Sequence, residues 1–212
     1  LVVGDTATCT ITNDDIAPML TVTKTVTNNN GGTKLVSDFP LFVNDDPVTS
    51  DVQNTLSANV LYTATETGAT GYLASSWGGD CAVDGTITLL PGDVKTCTIT
   101  NDDIAPKLSL VKEVVNDNGG TALGTAWTLT ANGAGELPTN LSGTTPVLGG
   151  ADLKADTYTL GESGPSGYGA SSWVCVGGTQ NGASITLNLG EEATCTITND
   201  DIAPKLTVIK HV

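Results

Sequence analysis

Apolar and polar residues alternate along this chain with a period of two. Leu20, Val22 and Val26 are separated by Thr21, Thr23 and Thr25, and the same phase runs through Leu108, Leu110 and Val114 and through Leu206, Val208 and Val212. Alternation sends successive side chains to opposite faces, so each run presents one apolar and one polar side. The runs are rich in Val, Ile, Thr and Tyr and are cut by Gly, Pro and Asn-Gly turns, which predicts β-strands throughout. No stretch carries a helical period.

The strand pattern itself repeats. Thr-Cys-Thr-Ile-Thr-Asn-Asp-Asp-Ile-Ala-Pro begins at Thr8, Thr96 and Thr194, at intervals of 88 and 98 residues (96 − 8 and 194 − 96). Asn/Gly turns follow the next strand at Asn28 to Gly32 and Asn116 to Gly120. Glu66-Thr-Gly-Ala-Thr-Gly-Tyr72 corresponds to Glu162-Ser-Gly-Pro-Ser-Gly-Tyr168, and Ala74-Ser-Ser-Trp77 to Ala170-Ser-Ser-Trp173. Such periodicity marks a tandem array. Two complete repeats are expected at 18–105 and 106–203, with 1–17 the last strand of a preceding repeat and 204–212 the first strand of a following one. Repeats of this length built only from short strands predict an all-β fold of tandem immunoglobulin-like β-sandwiches.

Composition narrows the function. Eight Lys and no Arg stand against 23 acidic residues, a formal net charge of -15. A field of that sign repels nucleic acid and anionic membrane surfaces and attracts divalent cations. Apolar residues make up 39% of the chain, enough to build cores rather than a disordered tail. No apolar run approaches the roughly 18 to 20 residues needed to cross a bilayer as a helix. Five Cys in a Thr-rich, repeat-built chain point to an oxidising compartment, hence to the cell exterior. Cys81 and Cys97 fall late in the first repeat, and Cys175 and Cys195 late in the second. Cys9 is, by position, the second Cys of a repeat whose first lies upstream. That accounting favours local disulfides Cys81–Cys97 and Cys175–Cys195 over free buried thiols. A zinc site lacks Cys-x-x-Cys spacing and has only His211 to draw on.

Strand parity gives the sharpest signal. Lys24 shares a face with Leu20 and Val22, Lys112 with Leu108 and Leu110, and Lys210 with Leu206 and Val208. Glu66 is in phase with Tyr62 and Ala64, and Glu162 with Tyr158 and Leu160. Asn101 is in phase with Cys97 and Ile99, Asn199 with Cys195 and Ile197, and Asn13 with Cys9 and Ile11. Each repeat therefore aims a Lys, a Glu and an Asn at its core, where an unpaired ammonium is costly.

At these residues the chain resembles the CnaB-type, SpaA-like domains of prealbumin-like fold found in bacterial surface proteins and pili. The resemblance rests on a Lys in the first strand, a Glu shortly before Gly-Tyr, and an Asn in the last strand. It implies that Lys24 with Asn101, and Lys112 with Asn199, join as intramolecular isopeptide bonds with Glu66 and Glu162 as catalysts. Asn13 and Lys210 would be the corresponding partners in neighbouring repeats. The chemistry is sound on its own terms: desolvation favours the neutral amine of Lys and the protonated acid of Glu. The amine attacks the Asn side-chain carbonyl, the Glu relays protons, and ammonia leaves. A buried Lys–Glu ion pair with Asn as a hydrogen-bonding partner is the alternative that needs no reaction.

Other signals are weaker. Asp102 and Asp103 near the junction of the repeats, with Asp117 after the next strand, are candidate calcium ligands, although Asn, Asp and Gly are also ordinary turn formers. Trp77, Trp127 and Trp173 read as packing aromatics rather than a sugar platform. Asn140-Leu141-Ser142 matches a glycosylation acceptor. No nucleophile–base set can be built around the lone His211, so conventional enzymatic activity is not expected and no cofactor other than calcium is implied. The expected role is a structural, extracellular stalk, adhesin shaft or surface filament, whose partners are neighbouring repeats of the same array, with lateral self-association open. A sugar-binding or calcium-dependent adhesive module is the competing reading.

Overall fold

A computed structural model describes residues 1–135 and 139–211. The first repeat supplies strands β1 (Met19–Thr27), β2 (Leu41–Val43), β3 (Asp46–Val48), β4 (Gln53–Thr55), β5 (Leu61–Glu66), β6 (Tyr72–Ala74), β7 (Gly78–Gly79), β8 (Thr86–Thr88) and β9 (Val94–Asp103). They form one sheet in the order β4-β1-β9-β6, with β7 also on β9, and a second in the order β3-β2-β5-β8. The second repeat supplies β10 (Lys107–Val115), β11 (Thr128–Gly133), β12 (Asn140–Gly143), β13 (Val147–Leu148), β14 (Asp156–Ser163), β15 (Tyr168–Ala170), β16 (Val174–Val176), β17 (Thr179–Asn181), β18 (Ser184–Leu187) and β19 (Glu192–Asp201). Its sheets run β13-β10-β19-β15, with β16 on β19, and β12-β11-β14-β18-β17. The only helical elements among the described residues are two short 3-10 turns, Val36–Asp38 and Gly124–Ala126. Each repeat is thus a two-sheet sandwich, as the strand pattern predicts.

The period-two alternation places the cores. In the first repeat Leu20, Val22, Leu41, Val43, Tyr62, Ala64, Ile87, Leu89 and Ile99 pack between the sheets. In the second, Leu108, Leu110, Leu129, Ala131, Tyr158, Leu160, Ile185, Leu187 and Ile197 do so. Trp127 and Trp173 are buried and Trp77 packs against its core, so none of the three forms an exposed platform. Disulfides join Cys81 to Cys97 and Cys175 to Cys195, closing 16- and 20-residue separations.

The compact units do not follow the repeat boundary. One comprises Leu1–Thr25, Val36–Gly68 and Ala74–Thr100, and the other Val26–Leu35, Ala69–Leu73 and Asn101–Val212. Two segments of the first repeat, the turn after β1 and the Gly-Tyr segment, therefore belong with the second unit. Residues 1–18 and 202–211 carry no strand. Among the described residues these segments pair with no strand, and Cys9 is a free, exposed thiol.

The first and last strands of the second repeat, β10 and β19, are also its longest. They run parallel side by side from Lys107↔Glu192 to Val115↔Asp200. A parallel pair needs a long crossover connection, here the whole of the intervening sandwich.

Candidate functional site

In the second repeat, Leu108, Leu110 and Lys112 of β10 face inward, as do Cys195, Ile197 and Asn199 of β19. Lys112 lies opposite Ile197, and Val114 opposite Asn199. Lys112 and Asn199 are therefore diagonal neighbours on one inner face of the sheet. The Lys112 ammonium donates to Glu162 Oε2 at 2.7 Å, with the lysine side chain wholly excluded from solvent and the glutamate 14% exposed. Asn199 is buried, and its Oδ1 has no hydrogen-bond partner among the described residues. Breaking such a buried pair from one side typically costs about 3–5 kcal/mol, so Glu162 is what makes an inward Lys112 tolerable.

An aromatic ring roofs the pair. Lys112 Nζ lies 5.0 Å from the centroid of Trp127, where the negative face of the ring favours a cation and excludes water. Gly164 admits the ring: a Cβ there would lie 2.3 Å from Trp127 Cδ1. The Lys112 backbone N–H is tied to Thr145 Oγ1 at 2.9 Å.

The first repeat holds the same parts. Lys24 donates to Glu66 Oε2, the lysine side chain is fully buried and the glutamate nearly so, and Glu66 Oε1 has no partner among the described residues. Phe39 takes the place of Trp127, with Lys24 Nζ 4.7 Å from its centroid. Ser50 takes the place of Thr145, accepting the Lys24 N–H at 2.9 Å. Burial pushes the Lys24 pKa below its ordinary value, against the opposing pull of its hydrogen bond and charge interaction with Glu66. That shift moves Lys24 toward the nucleophilic amine. Asn101 is buried on β9, the sheet neighbour of β1. Asn13 and Lys210 are exposed, and Val212, which shares the phase of Lys210, lies outside the described residues.

The aspartates read as calcium candidates lie in different surroundings. Asp103 is buried and accepts the backbone N–H groups of Asn29, Asn30 and Gly32, at 2.9, 2.9 and 2.6 Å. Asp102 is exposed. Asp117 is exposed and forms a group with Asp200 and Asp201 in which one carboxylate oxygen from each lies within 4.8 Å of the others. The negative charge of Asp200 is the main reason the Asp117 pKa is raised. Asn140 is exposed in β12.

Several residues of the site are not singled out by strand parity. Asp201 ends β19 and accepts the N–H groups of Asp117, Asn118 and Gly120 at 3.0, 2.9 and 2.5 Å. Tyr168 donates its hydroxyl to Asn116 Oδ1 at 2.7 Å and accepts the Ala122 N–H at 3.0 Å. Asp103, Tyr72, Asn28 and Lys34 repeat this arrangement in the first repeat. The signal for them was present in the repeat itself: the Asp follows the inward Asn by two residues in both copies, and the Tyr follows the Glu by six.

The prealbumin-like fold domain family matches the chain twice, over residues 15–99 and 103–197. The chain belongs to this family. Both prealbumin-like domains carry a Lys on their first strand and an Asn on their last, with a Glu between them in sequence. Among solved structures, the chain is similar to the Bacillus anthracis TIE protein, at 17% identity and a TM-score of 0.48, over 89% of this chain and 34% of that one. It spans about a third of that protein's length. It is also similar to a C-terminal fragment of the pilus adhesin SpaC from Lactobacillus rhamnosus GG, at 16% identity and a TM-score of 0.44, over 92% of this chain and all of that one. The major pilin T-13 of Streptococcus pyogenes is a further similar structure, at 12% identity and a TM-score of 0.38, over 90% of this chain and 98% of that one. No curated protein matches the chain.

Proposed function

We propose that this chain is a segment of an extracellular stalk or surface filament, each prealbumin-like domain being closed by a self-formed Lys–Asn isopeptide bond. The observation that carries the reading is the twice-repeated buried Lys–Glu pair under an aromatic ring, with a buried Asn on the neighbouring last strand. A carboxyl beside an amine in a dry pocket is the arrangement that proton transfer between them requires. The Lys amine attacks Asn Cγ, the Cγ–Nδ2 bond breaks, and a new Cγ–Nζ amide forms. Glu returns the proton from the attacking nitrogen to the departing one, which leaves as ammonia. The buried Oδ1 of Asn199, which has no partner among the described residues, is the carbonyl oxygen on which negative charge would build.

The topology supports a mechanical role. Tension applied through the chain enters the second repeat at the start of β10 and leaves at the end of β19. Because these strands are adjacent and parallel, tension loads their ladder in shear, along the strands, rather than unzipping it one hydrogen bond at a time. A Lys112–Asn199 bond would carry the same force covalently, leaving the rest of the sandwich unloaded. The disulfides on β9 and β19 suit an oxidising exterior.

Intact-mass measurement of the full chain tests the bond. The expected result is the loss of two ammonia molecules beyond the hydrogens lost to disulfides. A reduced chain of unmodified mass would reject it.

A further inference from the structure

The Lys, Glu and Asn of the second repeat sit on segments that meet a second time, a short distance away. Lys112 lies on β10, whose following loop runs from Asn116 to Ala122. Asn199 lies on β19, which ends two residues later at Asp201. Glu162 lies on β14, whose chain continues to Tyr168 in β15. Tyr168 is directly opposite Asp201 in the sheet, and Ala170 opposite Asn199. Asp201 grips the loop from one side through the N–H groups of Asp117, Asn118 and Gly120. Tyr168 grips it from the other through Asn116 Oδ1 and the Ala122 N–H. Asn118 Nδ2 closes the knot on the Asp201 backbone carbonyl at 3.0 Å.

The knot is built to close tolerance. A Cβ on Gly120 would lie 2.4 Å from the Tyr168 hydroxyl and 2.8 Å from Asp201 Oδ2, so only glycine lets loop, Tyr and Asp converge. Gly119 holds φ +98, in the left-handed region. The knot also touches the Lys112–Glu162 pair through one residue. Trp127 packs edge-to-face on Tyr168 with ring centroids 5.1 Å apart, and its face lies over Lys112 Nζ. Asp103, Tyr72, Asn28 and Gly32 form the same knot in the first repeat, with Gly32 under the same constraint. A plain turn does not require a buried carboxylate, a tyrosine and a glycine at matching offsets in both copies.

We infer that Asp201 and Tyr168, and Asp103 and Tyr72 in the first repeat, are positioning residues for isopeptide formation. By clamping the loop after the Lys strand, the segment after the Glu strand and the end of the Asn strand at one point, they set the register in which Lys, Glu and Asn meet. This role rests on the proposed cross-link. They touch no reacting atom. Their effect is on the fraction of time the amine spends in line with the Asn carbonyl, a term that shifts rates on the order of tenfold to a hundredfold for misplacement near 1 Å.

The test follows cross-linking in the full chain during cell-free synthesis, with peptide mapping to report ammonia loss in each repeat separately. Asp201→Asn and Tyr168→Phe are expected to slow the second repeat on the order of tenfold or more, while the first repeat reacts at the parental rate. The midpoint of the pH–rate profile should stay in place while the plateau falls. Parental rates in both variants would overturn the inference. A shifted midpoint would also overturn it, because the knot would then act by keeping the pair dry. If Asp201→Asn leaves the second repeat unfolded, Tyr168→Phe, which keeps the ring and removes one hydroxyl, decides alone. A parent that loses no ammonia removes the cross-link itself, and the positioning role falls with it.

Discussion

The Lys112 ammonium lies 2.7 Å from Glu162 Oε2, with no part of the lysine side chain open to solvent. Two charges at such a site survive only as a matched pair or as reactants. Glu162→Gln is therefore expected to abolish ammonia loss in the second repeat and to leave Lys112 uncompensated. Urea unfolding should show that repeat destabilised by about 3–5 kcal/mol. Undiminished ammonia loss in this variant would remove Glu162 from the chemistry.

Lys24 gives a pH prediction whose sign comes from its depressed pKa. Burial makes the folded chain release the Lys24 proton more readily than the unfolded chain does. In Asn101→Ala, which cannot cross-link, the protonated form carries a penalty only in the folded state. Stability of the first repeat should therefore rise with pH, through the lowered folded value, and level off near the free lysine value of about 10.4. Thermal melts of this variant from neutral to alkaline pH, compared with Lys24→Met/Asn101→Ala, check this, since the double variant should lack that rise.

Asp201 predicts a dependence in the opposite pH range. Burial opposes its ionisation, yet the N–H groups of Gly120, Asn118 and Asp117 prevail and hold its pKa below the usual carboxylate value. The knot's contribution is thus fully present above an unfolded value of about 3.9 and is lost as pH falls through the folded one. Amide exchange at Gly120 should accelerate over that window in the parent and be fast at every pH in Asp201→Ala.

Cys175 lies directly opposite Cys195 on paired strands. Cys175→Ala/Cys195→Ala should lower the stability of the second repeat by about 3 kcal/mol in the chain-entropy view, measured by denaturant unfolding. The first repeat, with its own Cys81–Cys97 bond, should be unaffected.

Asp117 stands where the first repeat has Asn29, and its pKa is raised chiefly by Asp200. Asp117→Asn is expected to raise the melting temperature at low ionic strength and to lose that advantage at high salt, as repulsion between exposed carboxylates is screened.

Much of this protein was legible without coordinates because its information is local and repeated. Period two in Leu108, Leu110 and Lys112 says which side chains share a face whatever strand lies beside them, and so it placed the lysines, glutamates and asparagines inside. Five cysteines at matching offsets sufficed to pair four of them. Residues 1–17 and 204–212 show the limit of the same logic. Their alternation is intact, but a strand needs a partner's hydrogen bonds, and no strand is present there among the described residues.

What the sequence alone determined was the all-β repeat and the inward phase of Lys24, Glu66, Asn101 and their counterparts, since side-chain direction in a strand depends only on parity. Tertiary structure decided which groups meet. That Trp127 roofs Lys112, that Asp201 binds loop amides, and that Tyr168 ties that loop to β15 depend on the parallel docking of β10 on β19. They depend equally on the backbone path through Gly119 and Gly120. The Asp201 grip on Gly120 joins positions 81 residues apart in the chain, set by packing and loop geometry that no local periodicity encodes.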